Sequence, residues 1–223
     1  MEEIDYKVVQ SKDLNNAKYE ESYTMLEKKL ILKLISTITP EDESFELKSI
    51  DVNELNFFGD KQKNHSYIHY KVCRTILKKP LEVNGLWCNW FIKLGCKNGL
   101  VYYQFDDDLK NHLLSIEDNY NDFFLSNVMA LKKYHAIRIY EIISLMVKWK
   151  NSKQVFHRRM DWEEFKILLN IGDGYRNNDI KPKIIEQAQK EIQEKSDLKF
   201  NFEIYKNGRN YDYINFVISK NKG

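Results

Sequence analysis

Residues 178–218 read NDIKPKIIEQAQKEIQEKSDLKFNFEIYKNGRNYDYINFVI, and two periods meet inside that run. Over 178–195 the apolar residues Ile180, Ile184, Ala188 and Ile192 recur every four positions, which predicts a helix with one inward face. From Leu198 the period falls to two: Leu198, Phe200, Phe202 and Ile204, then Ile214, Phe216 and Ile218 beyond Asn207-Gly208. Alternating strands on either side of Asn-Gly predict a β-hairpin with a type I′ turn. A helix that feeds a two-stranded hairpin is the second half of a winged helix-turn-helix, in which the helix enters a DNA groove and the hairpin forms the wing.

Upstream residues supply the first half. Val155 to Met160 suits a short strand, Asp161 caps a helix through Leu169, and Val128 to Trp149 reads as one long amphipathic helix. The same series stands earlier in the chain. A helix is predicted from Glu20 to Ile38, a strand from Phe45 to Ile50, a short helix from Asp51 to Phe58, and a helix over 65–79 stopped by Pro80. A hairpin follows, with Cys88, Trp90, Ile92 and Leu94 alternating before, and Val101, Tyr103 and Phe105 after, a five-residue loop at 95–99. Asp106 to Ser115 reads as a short helix and 116–122 as a linker. Corresponding elements start at 20, 51, 65 and 86 and again at 128, 161, 178 and 198, a repeat of about 110 residues. The expected fold is therefore α+β, two tandem winged-helix domains over 19–122 and 123–223 behind a mobile acidic leader at 1–18.

In the second domain, Arg176, Asn177, Asn178, Lys181 and Lys183 lie at or near the first turn of the reading helix, with Gln187 one turn on. Arg, Asn and Gln can make two-point contacts with base edges, whereas Lys suits phosphate. The wing tip carries Lys206 and Arg209 around its turn, cations that can grip a backbone or a narrow minor groove. The first domain offers Lys61, Lys63, Lys71, Arg74, Lys78 and Lys79, with Lys93 and Lys97 on its wing, so mainly phosphate contacts are expected there.

Composition agrees with that assignment. The 223 residues carry a net charge of +2, but residues 1–60 hold 7 Lys against 14 Asp and Glu, so the remainder is basic. A basic body suggests an anionic partner, with nucleic acid the first candidate. The 14 Tyr, 12 Phe and 4 Trp are too many for a chain without a core. No apolar stretch is long enough to cross a membrane, and Met1-Glu2-Glu3-Ile4-Asp5 lacks the order of a signal peptide. Three cysteines without a CxxC pair argue against a disulfide framework. A cytoplasmic location is expected.

Catalytic readings fare poorly. His65, His69 and Cys73 share a helical face, but no fourth ligand stands at a recognised zinc spacing. Asp106-Asp107-Asp108 suits a helix N-terminus without a metal. There is no phosphate-binding GxxxxGK[ST] loop, no GxSxG elbow, and no His-hydrophobic-His pair of a nicking nuclease. No enzyme activity, metal or cofactor is expected, and Trp87, Trp90, Phe123 and Phe124 are assigned to the core.

Leu131-Lys132-Lys133-Tyr134-His135-Ala136-Ile137-Arg138-Ile139-Tyr140-Glu141 resembles the signature of iteron-plasmid replication initiators of the F-plasmid and π-protein type. Residues 184–192 with Asp197-Leu198, and the closing hairpin from Lys206 to Ile218, are similar to later segments of that family. Pro182 and Gln187 depart from it, since the family often has Pro at the position of Gln187. The resemblance covers roughly residues 20–220. It implies a monomer that binds direct repeats in origin duplex DNA, and a homodimer, joined through the first domain, that represses its own promoter. It also implies contact with the host replicative helicase or initiator. The alternative within the same fold is a two-domain transcriptional regulator with no part in replication; genomic context would separate them.

Overall fold

Helix ends and hairpin turns follow from short-range chemistry in most of the chain. The computed structural model describes residues 6–55, 57, 64–114, 116, 120–145, 147, 154–172 and 174–221. It divides at Leu125 and Ser126 into two units, each with its own core.

In unit 1, β1 (Lys7–Ser11) leads into α1 (Lys12–Asn15), with Ser11 accepting the Leu14 N–H as its cap, and β2 (Lys18–Tyr19) follows. Residues 7–18 are thus built into the unit rather than forming a mobile leader. Val8 and Leu14 are buried, and β1 pairs antiparallel with β8 (Tyr120–Phe124), which overlaps the end of the stretch expected as a linker. Burial of apolar side chains at both ends of the unit outweighs the polar composition that suggested flexibility.

The long helix α2 spans Met25–Ile35, shorter than the 20–38 periodicity suggested. Thr24 and Glu27 close a reciprocal capping box, which fixes its start. Leu30, Leu34 and Ile35 form its buried face, and Glu27 pairs inside the unit with Lys79 at 2.9 Å. Strand β3 (Lys48–Asp51) runs into a single 3-10 turn, Val52–Glu54, capped by Asp51. Phe58 and the rest of the helix end expected there lie outside the described residues. The second helix, α3, begins as an α-turn at His65–Tyr67, widens to a π-helix over Ile68–Cys73 and ends at Arg74–Ile76.

Two hairpins follow. β4 (Leu81–Val83) and β5 (Leu86–Cys88) turn at Asn84-Gly85, a pair that periodicity alone does not reveal because each strand is only three residues long. The wing, β6 (Phe91–Lys97) and β7 (Leu100–Phe105), turns on two residues, not five. Asn98 at φ 52° and Gly99 at φ 79° satisfy the left-handed requirement of a type I′ turn. β3 completes a β3-β7-β6 sheet. The 106–115 helix is a 3-10 turn, Asp107–Leu109, followed by α4 (Lys110–Leu113). Trp90 is buried as expected, but Trp87 is 55% and Leu86 74% exposed, and Phe124 is also exposed.

Unit 2 repeats the order. The helix expected over 128–149 is two: α5 (Leu125–Ala130) and α6 (Tyr134–Ser144). Between them, the Lys132 N–H is taken by the Glu191 carboxylate at 2.5 Å, a partner from elsewhere in the unit that replaces helical continuation. β9 (Val155–Asp161) leads into α7 (Trp162–Leu168), where Asp161 accepts the N–H groups of both Glu163 and Glu164. Helix α8 starts as Asn177–Ile180, passes through a π-helical segment Lys181–Ile185 and continues as Glu186–Lys195. Pro182 lacks an N–H and its ring crowds the carbonyl four residues back, which accounts for the widened turn. The wing, β10 (Leu198–Asn207) and β11 (Asn210–Lys220), joins β9 in a β10-β11-β9 sheet. Its turn is centred on Gly208-Arg209, not Asn207-Gly208: Asn207 pairs with Asn210, and Gly208 alone has positive φ, 62°. That pattern is the II′ rather than the I′ turn. Strand, helix-turn-helix and wing therefore occur in both units, a tandem winged-helix fold.

Candidate nucleic-acid interface

The exposed side of α8 is defined by what lies under it. Ile180, Ile184, Ala188 and Ile192 are buried as the period-four spacing requires, joined by Ile185. Lys181, Lys183, Gln187 and Lys190 are exposed, as are Arg176 and Asn178 at the helix start. Arg176 stands at the N-cap position with extended backbone and makes no capping bond through its side chain.

Several of these groups are already engaged. Lys183 pairs with Asp179 at 3.2 Å, Lys181 approaches Glu186 at 3.8 Å, and Lys190 approaches Glu194 at 4.0 Å. Exposed pairs of this kind are weak and yield to phosphate at little cost. Gln187 accepts through Oε1 from the Lys133 ammonium, which brings the start of α6 to the same surface. Lys133 was not among the expected contacts; it lies far from α8 in sequence, inside the stretch whose periodicity predicts one continuous helix. Asn177 faces inward: its Oδ1 accepts the Trp162 indole N–H at 3.0 Å. Its work is to fix the start of α8 against α7.

The wing meets the same helix end. Tyr211 of β11 stacks on Trp162 with ring centres 4.8 Å apart and planes 26° from parallel, and its hydroxyl donates to Asn178 Oδ1 at 2.7 Å. Lys206 lies 4.5 Å above the other component of this stack, the Tyr211 ring. Arg209 is exposed at the wing turn.

In unit 1 the corresponding helix, α3, exposes Tyr67, Tyr70, Lys71 and Arg74. Among the described residues neither cation is paired with a carboxylate. Lys78, Lys93 and Lys97 are exposed nearby in sequence and on the wing, whereas Lys79 is buried with Glu27 and donates also to the Ser22 carbonyl. Lys61 and Lys63 lie outside the described residues. His69 and Cys73 on this helix have other partners and surroundings: His69 Nδ1 accepts the Cys96 N–H of the wing at 3.1 Å, and burial pushes the pKa of the Cys73 thiol up to about 12. Gly95 is what allows that approach, since a Cβ there would stand 3.3 Å from the His69 ring.

The segment that carried the family resemblance is interior. Arg138 and Glu141 form a fully buried pair at 2.8 Å, and Arg138 also caps the end of α7 through two bonds to the Leu168 carbonyl at 3.3 Å. Tyr140 donates to Asp197 at 2.9 Å, just before β10. Among the described residues no helix is long and apolar enough to cross a membrane.

Residues 7–144 match a family model described as Initiator Replication protein, WH1, and residues 161–218 match one described as Initiator Rep protein, WH2. Among solved structures, the crystal structure of Pi initiator protein in complex with iteron DNA is similar with a TM-score of 0.79, over 99% of this chain and 100% of that chain. The two sequences are 12% identical, so this likeness is one of fold. No curated protein matches the chain in sequence.

Proposed function

Because the chain belongs to the initiator replication protein family, we propose that it initiates replication of a plasmid by binding direct repeats, iterons, in the duplex DNA of the origin. The observation that carries this reading is the outward surface of α8. It gathers Arg176, Asn178, Lys183 and Gln187 over a face of buried isoleucines, beside a wing with Lys206 and Arg209 at its tip. Guanidinium and amide groups at a helix start are the side chains that recognise base edges in a major groove, and the wing cations suit the backbone beside it. Unit 1, with Lys71 and Arg74 exposed on α3, adds grip on phosphates rather than base reading.

The protein acts in the cytoplasm, without chemistry of its own, as a monomer on the repeats. A homodimer in equilibrium with that monomer represses the protein's own promoter, and the origin-bound form engages the host replicative helicase or initiator. Footprinting on the DNA that flanks the gene tests the first step. Protection of repeats of about 20 bp, lost as salt rises, is the expected result. Absence of salt-sensitive protection would overturn it. A cloned origin that replicates only when the intact chain is supplied separates an initiator from a repressor of the same fold.

A further inference from the structure

The contact between Tyr211 and Asn178 gives the wing of unit 2 a role in base choice. Asn178 is exposed at the first turn of α8, yet its carbonyl Oδ1 is held by the Tyr211 hydroxyl at 2.7 Å. Among the described residues its Nδ2 has no partner. An asparagine free at both ends accepts and donates together, which is the two-point pattern that fits adenine N6 and N7. An asparagine whose oxygen already accepts one hydrogen bond keeps a single lone pair there, while both N–H donors of its nitrogen stay open to a ligand. Those donors address acceptors: guanine N7 and O6, thymine O4 or adenine N7, of which guanine alone offers two on one base.

Two further contacts hold Tyr211. Its ring lies on Trp162, whose indole N–H is fixed by Asn177, and Lys206 covers it at 4.5 Å. The hydroxyl therefore has a defined position relative to the starts of both α7 and α8. A one-residue bulge lies close by, because Tyr205 pairs with Tyr213 but Lys206 pairs with Tyr211, leaving Asp212 unmatched. Such a bulge re-aims the side chains beside it, and here it accompanies the turn of Tyr211 toward the helix.

We infer that Tyr211 is a specificity-determining positioning residue: it draws the Asn178 oxygen toward the wing and leaves the amide nitrogen outward, so that this helix position favours guanine or thymine over the two-point contact with adenine. The inference rests on the duplex-binding reading above.

The test uses the full chain and a duplex library randomised in sequence. Selection with the wild type defines the preferred site, and affinities are then measured on that site and on random duplex. Tyr211→Phe keeps the stack on Trp162 and the Lys206 contact but removes the hydroxyl. It is expected to lower affinity for the selected site roughly five- to tenfold, the scale of one lost hydrogen bond, with random-duplex binding and the thermal midpoint unchanged. Reselection with Tyr211→Phe should admit adenine at one base pair where the wild type takes guanine or thymine. The double variant Tyr211→Phe/Asn178→Ala should bind no more weakly than Asn178→Ala alone. Equal losses on selected and random DNA, additive losses in the double variant, or an unchanged base preference would each overturn the inference. A wild type that binds duplex DNA without selecting any site, or does not bind it, would overturn the parent reading and this one with it.

Discussion

Both units tie their second helix to the wing through side-chain hydrogen bonds, and the tie made by His69 in unit 1 does different work from the one made by Asn178 in unit 2. In unit 1, His69 turns in from α3 and accepts a backbone N–H, that of Cys96. Nothing of that bond is left for a ligand to read, and α3 presents tyrosines outward together with Lys71 and Arg74, which no carboxylate among the described residues pairs. In unit 2, Asn178 remains exposed while its oxygen is held by a side chain, Tyr211, and the cations around it are paired with Asp179 and Glu186. A backbone tie is indifferent to sequence and locks geometry only; a side-chain tie fixes geometry and also chooses which hydrogen-bonding groups remain free. The same frame thus yields a gripping face in one unit and a reading face in the other.

The largest effect concerns the shared scaffold. Replacing Glu141 by Ala leaves Arg138 charged and buried, which costs about 3–5 kcal/mol. Unit 2 should then unfold at lower denaturant concentration than unit 1, a separation visible as two transitions in urea. A single transition shifted by less than 1 kcal/mol would break the view that this pair anchors unit 2.

On the reading face, Arg176→Ala should lower binding to the preferred site by roughly 1–3 kcal/mol and change random-duplex binding much less. Equal loss on both would move Arg176 to the gripping class. On the gripping face, Lys71→Ala should weaken binding on every sequence and reduce the slope of log affinity against log salt by about one. A preserved slope would remove Lys71 from the phosphate contacts. The smallest effect distinguishes paired from unpaired cations. Asp179→Asn releases Lys183 and should tighten binding to all duplexes by less than about 1 kcal/mol; weaker binding would show that Asp179 serves the interface directly.

Much of this comparison was legible in the chain itself. The period-four apolar residues of 180–192 did turn inward, the alternating runs did become wings, and the tandem series did become two units. Asp161 capped α7 where the sequence placed it. What escaped was set by partners remote in sequence. The 7–18 segment looked like a leader because the strand that covers it, Tyr120–Phe124, lies at the other end of the unit. Lys79 looked like a surface cation because its partner Glu27 is on α2, and the 128–149 helix looked continuous because the carboxylate that interrupts it belongs to Glu191. Of the expected contacts, Asn177 faces Trp162 instead of solvent for the same kind of reason.

Local period, caps and turn residues act within a few positions, so the sequence alone determined the reading helix, the strands of both wings, their apolar faces, and that the pattern occurs twice. Long-range pairing is decided only when the chain closes: Lys7 opposite Phe124, Arg138 beneath Leu168, Tyr211 against Asn178. Those contacts gain their energy from burial and from donors and acceptors meeting in one geometry, neither of which exists in the open chain. That is why the tertiary structure, and not the order of residues, decided which polar groups on the second helix remain free to meet a ligand.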